Sequence, residues 1–265
     1  GLQVLRDEAG NVFARLPGEG EPLLVTAHMD TVTPAEGVAP QVRDGVVYSD
    51  GTTVLGADDK SGVAVILEVL RVLVRGGEPH RPVEALFTVR EEVGLEGAKA
   101  FDTSRLTARL GIGLDVGGEQ GTIVVQAPAQ NSLVVKVHGR MAHAGVNPED
   151  GVNAIRVAAE AIARMPLGRI DEQTTANIGV ISGGTATNIV PDLTTVHGES
   201  RSRSDAKLEQ QTRAMVEAFE HAARQHEARL DVSVRHAYSA FDLGEDAPVV
   251  RLIGEGAFPR QRRHQ

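Results

Sequence analysis

The 265-residue chain contains no cysteine and no tryptophan. Without thiols it can carry no disulfide framework, thiolate zinc site, cysteine-ligated iron–sulfur cluster or cysteine nucleophile. Any metal must therefore be held by histidine and carboxylate. Aromatic residues make up only 3%, which leaves Val, Leu, Ile and Ala to fill the core. Basic residues are outnumbered by acidic ones, 27 against 36, giving a formal net charge of −9. That balance argues against a nucleic-acid partner. Long apolar runs are also missing: the longest, 63–74, is interrupted by Glu68 and Arg71 and is too short to span a bilayer. No basic segment followed by an apolar one marks a signal peptide near Gly1. These absences predict a soluble, cytoplasmic chain with no membrane partner, long enough for one large or two ordinary domains.

What is present is an alternation of short apolar runs and helical patterns. Residues 11–16, 22–27, 83–89, 110–114 and 122–126 read as strands rich in Val, Leu and Ile. Between them, 60–75 places Val63, Ile66, Leu67, Leu70, Leu73 and Val74 on a wide helical face, stopped by Gly76-Gly77. Buried-type strands alternating with helices predict an α/β fold with a central mixed sheet. From about residue 129 the pattern changes. Strand-like alternation at 131–138, 175–181, 193–199 and 230–236 is interleaved with helical spacing at 151–165 and 205–225, the latter with Asp205 as N-cap. The order β-α-β-β-α-β is the split-βαβ, or ferredoxin-like, arrangement. It predicts a second domain at 129–238 inserted into a first one made of 1–128 and 239–265.

Four clusters concentrate histidine and carboxylate, each at or just after a predicted strand or at a helix start. In His28-Met29-Asp30 the two polar side chains share a face if strand geometry continues, so the carboxylate can orient the imidazole toward a metal. Asp58-Asp59 precede the apolar helix, where capping and dipole compensation are the plainer use of two acids. Glu91-Glu92 end a strand, and adjacent carboxylates that point apart can divide labour between a metal and a water. Asp115 closes another strand, where a lone Asp is ordinarily a turn former. Each has a bland reading alone. Their joint occurrence at the edge where α/β enzymes assemble their sites points to paired metal ions acting on a carbonyl.

The ordered set AHMDTV, SDGTTVLGADDKSG, TVREEVGLEGAKA, LDVGG, GRMAHAG and GGTATNIVP resembles the M20 family of zinc metallopeptidases, most closely its peptidase T-like (tripeptide aminopeptidase-like) branch. The resemblance runs from about Leu2 to Ala257. It implies a catalytic domain interrupted by a lid, or dimerisation, domain, and a homodimer formed through that lid. By motif match it implies that His28, Asp58 and Asp115 form one metal site and that Asp58 bridges to a second with Glu92. Asp30 would stand behind His28, and Glu91 would be the general base for a zinc-activated water. His143, Asn188 and Arg201 would contact a short peptide substrate, and an Arg fork suits a peptide carboxylate. One or two Zn²⁺ per chain are implied, with Co²⁺ or Mn²⁺ as substitutes. Relatives also carry residues ahead of the region matching Gly1 and continue past Ala257 to a late histidine of the second site. By this resemblance the chain is short at both ends. His264, in the basic tail 259–265, lies in unlike surroundings and is not assigned as a ligand. An M20-type amidohydrolase or carboxypeptidase, or an inactive homologue retaining the dimerisation domain, remains an alternative.

Overall fold

The computed structural model describes residues 1–119 and 121–255. It divides into two units, one comprising Gly1–Ile123 and the described residues from Asp246 onward, the other Val124–Glu245. The tail 259–265, with His264, lies outside the described residues. Among the described residues, no helix is long and apolar enough to cross a membrane.

In the first unit, strands β1 (Gln3–Arg6), β2 (Val12–Leu16) and β3 (Leu23–His28) are followed by the short pair β4 (Gln41–Arg43) and β5 (Val46–Tyr48). Helix α1 (Ala57–Gly76), β6 (Val83–Thr88), α2 (Glu96–Ala100) and β7 (Leu110–Gly113) complete its first part. The sheet order is β1-β2-β6-β3-β7. β3 runs parallel to both β6 and β7, while β1 and β2 add antiparallel, so the sheet is mixed. β6 is buried along its whole length because both faces of the sheet are covered. On one face Val83, Ala85 and Phe87 pack with Ala14, Ala27 and the Ile66 and Leu70 side chains of α1. On the other, Leu86 joins Phe13 and Phe101, whose ring centroids are 5.6 Å apart.

The exception in that apolar strand is Glu84, fully buried. Its carboxylate accepts hydrogen bonds from the Arg15 guanidinium (2.8 Å), the Thr107 hydroxyl (2.6 Å) and the backbone N–H groups of Thr107 and Ala108 (each 3.1 Å). Burial pushes this carboxyl up, but those donors together hold it below the usual range. Glu84 thereby fastens the segment leading into β7 to the centre of the sheet.

The second unit contains β8 (Gln126–Ala127), β9 (Ala129–His138), β10 (Ala142–His143), α3 (Ala154–Arg164) and β11 (Gly168–Arg169). It continues with β12 (Thr174–Gly183), β13 (Ile189–Val190), β14 (Leu193–Ser202), α4 (Asp205–Gln225), β15 (Arg229–Tyr238) and β16 (Phe241–Asp242). Its antiparallel sheet has the order β11-β12-β14-β9-β15. Helices α3 and α4 bury Val157, Ala161, Met215, Phe219 and Ala222 against Leu133, Val135, Val137 and Val196. Met215, Phe219 and Ala222 are spaced by four and three residues, one face of α4. Helix α5 (Pro248–Glu255) then returns to the first unit and lies against β7.

Three details depart from the sequence-based expectation. Helix α4 takes Ser204, not Asp205, at its N-cap; Asp205 stands in the first turn, where its charge complements the helix dipole. Among the described residues the strand expected at 122–126 is reduced to Gln126–Ala127, paired with Phe241–Asp242. Because that pair belongs to the second unit, the units divide at 123/124 and 245/246.

Candidate active site

The parallel strands β3, β6 and β7 end side by side, and the residues after them meet there. His28, the last residue of β3, is buried. Its Nε2 lies 3.1 Å from Asp58 Oδ1 and 4.0 Å from Asp115 Oδ2, and its Nδ1 lies 3.5 Å from Asp30 Oδ1. Asp30 accepts the backbone N–H of Glu91 on one oxygen (3.0 Å) and of Glu92 on the other (3.1 Å). Burial pushes Asp30 up, but these N–H groups, with His28, outweigh it and keep the carboxyl ionised. One carboxylate thus fixes the loop carrying Glu91 and Glu92 while facing the histidine.

Asp58 and Asp59 stand at the head of α1 with backbone angles outside the helical range. Asp59 is buried and accepts the Gly62 N–H (3.2 Å). A Cβ at residue 62 would lie 2.4 Å from Asp59 Oδ1, so glycine is what lets the helix approach that carboxylate. Its other oxygen has no hydrogen-bond partner among the described residues. The capping expected of Asp59 from the sequence is what its bond to the Gly62 N–H provides, at the head of the regular part of α1, and the structure adds that the capping carboxylate is buried.

Sequence reasoning passed over Asn11. It is buried, accepts the Val89 N–H (3.1 Å) and donates to the Gly97 carbonyl (2.8 Å). At Gly97 a Cβ would meet the Val89 carbonyl at 2.1 Å. Asn11 and Gly97 therefore close the loop that presents Glu91 and Glu92. A polar residue opening a mostly apolar strand, just after the Asp7–Gly10 turn, was the available clue.

The electrostatics of the cluster are those of crowded acids. Burial pushes Glu91 up, with further help from Glu92, Asp30 and Asp58 against the opposing pull of His28. The Asp115 carboxyl is pushed up to about 6, first by burial and then by the neighbouring Asp58. For His28, burial opposes the charged form, but the bond to Asp58 and the charges of Asp115, Glu91 and Asp30 raise it overall. Ligand atoms of His28, Glu91 and Asp115 all lie within 4.8 Å of one another, as do those of His28, Asp58 and Glu92. One imidazole among converging carboxylates, with no thiolate, is a donor set that fits a divalent cation of the Zn²⁺, Co²⁺ or Mn²⁺ class. A cation there relieves the mutual repulsion that the raised acids express.

This charge balance predicts a pH effect in metal-free protein. The folded pKa of Asp115, about 6, exceeds its ordinary value of 3.8. Its ionisation therefore costs stability above pH 6, and the cost is relieved as pH falls from 6 toward 4. In EDTA, Asp115→Asn is expected to melt higher than the parent at pH 7.5, with the gap narrowing toward pH 5. Parallel melting temperatures across that range contradict the assignment.

His143, Asn188 and Arg201 belong to the second unit. His143 lies on β10, paired with Ile189 of β13. Its Nδ1 accepts the Gly145 N–H (3.2 Å), which leaves the proton on Nε2, so the exposed ring offers a donor. Asn188, just before β13, is exposed, and its carbonyl accepts the Ala144 N–H (2.9 Å). Arg201 lies on β14 and forms a bidentate pair with Glu199, Nε to Oε1 at 2.9 Å and Nη2 to Oε2 at 3.0 Å.

Residues 130–227 match the peptidase dimerisation domain of the M20 type, and residues 11–157 match peptidase family M28. Aminopeptidase PepT from Bacillus cereus ATCC 10987 is similar in structure with a TM-score of 0.85 and 43% identity, over 100% of this chain and 75% of that one. The chain belongs to the M20 peptidases, on their peptidase T-like branch. A tripeptidase from Staphylococcus aureus subsp. aureus Mu50 agrees, with a TM-score of 0.89 and 42% identity over 96% of this chain and 71% of that one. The uncharacterized protein YqjE of Bacillus subtilis (strain 168) is 45% identical over 94% of this chain and 68% of its own length. This M20 peptidase spans half or less of the Peptidase T sequences it matches.

Proposed function

We propose that this M20 peptidase hydrolyses short peptides from the amino end, in the manner of a tripeptide aminopeptidase, and works as a homodimer through its dimerisation domain. The observation that carries the reading is the convergence of His28, Asp58, Glu91, Glu92 and Asp115 on one sheet edge, with Asp30 tying histidine and acid loop together. His28, Asp58 and Asp115 would hold one divalent ion, with Asp58 and Glu92 serving a second. When bound, such an ion, zinc in this reading, polarises the scissile carbonyl and favours ionisation of water at neutral pH. Glu91 takes the proton from the attacking water and delivers it to the leaving amine. His143 donates from Nε2 to the carbonyl oxygen as negative charge develops there. Asn188 and Arg201 bind the remainder of the peptide, the guanidinium taking its terminal carboxylate.

The test is a product analysis on tripeptides. The metal-loaded protein is expected to release the N-terminal residue and a dipeptide, to lose turnover in EDTA, and to regain it with Zn²⁺, Co²⁺ or Mn²⁺. Release of only the C-terminal residue would instead mark a carboxypeptidase, and cleavage confined to N-acylated amino acids an amidohydrolase. Asp30→Asn, which deprives the loop of one acceptor oxygen, is expected to weaken metal binding about 10–100-fold by calorimetric titration. An unchanged affinity removes Asp30 from its proposed role.

A further inference from the structure

Period-2 geometry puts Glu199 and Arg201 on one face of β14, opposite the buried Ser200 and Ser202. Gln130 of β9 is paired directly with Arg201 and sends its amide to Glu199 Oε2 at 2.8 Å. The carboxylate is therefore held from two sides, by its own strand and by its neighbour. Both partners of the ion pair are partly exposed, Arg201 at 42% and Glu199 at 33% of the side chain, so the pair is reachable by a ligand.

The way the fork is used is informative. A guanidinium has two edges able to bind a carboxylate, one formed by Nε and Nη2 and the other by Nη1 and Nη2. Glu199 occupies the first. The second, at the tip of the side chain, faces away from that carboxylate. A long flexible Arg loses rotamer freedom when it is immobilised at binding; here the two bonds to Glu199 hold the side chain before any substrate arrives.

Resting on the reading of Arg201 as the group that takes the peptide's terminal carboxylate, we propose that Glu199, itself held by Gln130, is a positioning residue that presents the outer edge of the Arg201 guanidinium to the substrate. Glu199 makes no contact with the reacting atoms. It acts on substrate affinity through Arg201 and leaves the chemical step alone. It also makes recognition selective for a free carboxylate over a neutral terminus, because a carboxylate offers a charged oxygen to each nitrogen of the presented edge whereas an amide offers a single neutral one.

The experiment compares one tripeptide with its C-terminal amide, using metal-loaded protein and the variants Arg201→Ala, Glu199→Ala, Glu199→Gln and Gln130→Ala. Glu199→Ala is expected to raise KM for the free acid about tenfold while leaving kcat, and KM for the amide, within about twofold. Glu199→Gln, which keeps an acceptor of the same shape, and Gln130→Ala, which frees one oxygen, are expected to fall between parent and Glu199→Ala. A lower KM for the free acid in Glu199→Ala overturns the proposal, because it shows that Glu199 competes with substrate for the guanidinium. Equal losses for acid and amide overturn it as well, since they mark a role in general stability. If Arg201→Ala raises KM for the acid and the amide alike, or for neither, the underlying reading of Arg201 is what fails. If Arg201→Ala raises KM for the acid alone and all three variants at 199 and 130 match the parent, only the positioning role fails.

Discussion

Replacing Glu91 by Gln is expected to lower kcat for tripeptide hydrolysis by about 10²–10⁴-fold, with the fold and the metal content retained. The expectation follows from how the residue is held. Its backbone N–H is fixed by Asp30, and its loop is closed by Asn11 and Gly97, so the amide of Gln occupies the same place without a proton-accepting oxygen of comparable basicity. The Asp30 bond is to backbone, and exchanging the side chain leaves it intact. Turnover measured beside elemental analysis of bound metal decides the matter. A variant with full metal content and parental kcat shows that proton transfer passes through another group, whereas loss of metal together with activity reassigns Glu91 as a ligand.

The second large effect concerns stability and lies away from the site. Glu84→Ala is expected to destabilise the first unit by about 3–5 kcal/mol, because it leaves the N–H groups of Thr107 and Ala108 without their acceptor around an emptied, buried position, while the partly exposed Arg15 guanidinium keeps only the Arg105 carbonyl. At the scale of a unit this size, that corresponds to a fall of roughly 10–20 °C in melting temperature. The pH dependence has a definite sign. The folded pKa of Glu84 lies below its ordinary 4.5, so its contribution is present above that value and is lost as pH falls through the folded one. Parent and variant should therefore converge on acidification. Denaturant melts at pH 7 and pH 3 check both statements, and a cost under about 1 kcal/mol at pH 7 refutes the structural role.

The parts of this molecule that could be read from its sequence are those governed by short periods and local spacing. β6 announced itself as a largely apolar run interrupted by Glu84, since a strand covered on both faces has no regular polar alternation to show. The split-βαβ order of the second unit followed from the alternation between periods of 2 and 3.6. The acid clusters were visible because they sit at or just after the ends of strands or, for Asp58-Asp59, at the start of a helix, and the family resemblance joined them into one site. The short hairpin at Gln41–Arg43 and Val46–Tyr48 was overlooked, although its turn residues Asp44 and Gly45, at φ 50° and 78°, are a recognised hairpin signal. β10 and β13, two residues each, are too short for any periodicity to register. Glu84 read as part of a strand, but its donors come from residues 15, 107 and 108, and no local pattern carries that information. The same holds for Gln130 and Glu199, which are 69 residues apart and meet only through strand register.

Asp30 gives the first unit a constraint on its own evolution. A single carboxylate receives the N–H groups of two consecutive residues and faces the histidine from behind. Any substitution at that position disturbs the ring and the loop together, so selection cannot retune the affinity for an ion independently of the alignment of the base. Variants that adjust one without the other must arise elsewhere, at positions such as Asn11 or Gly62 that touch only one side of the linkage.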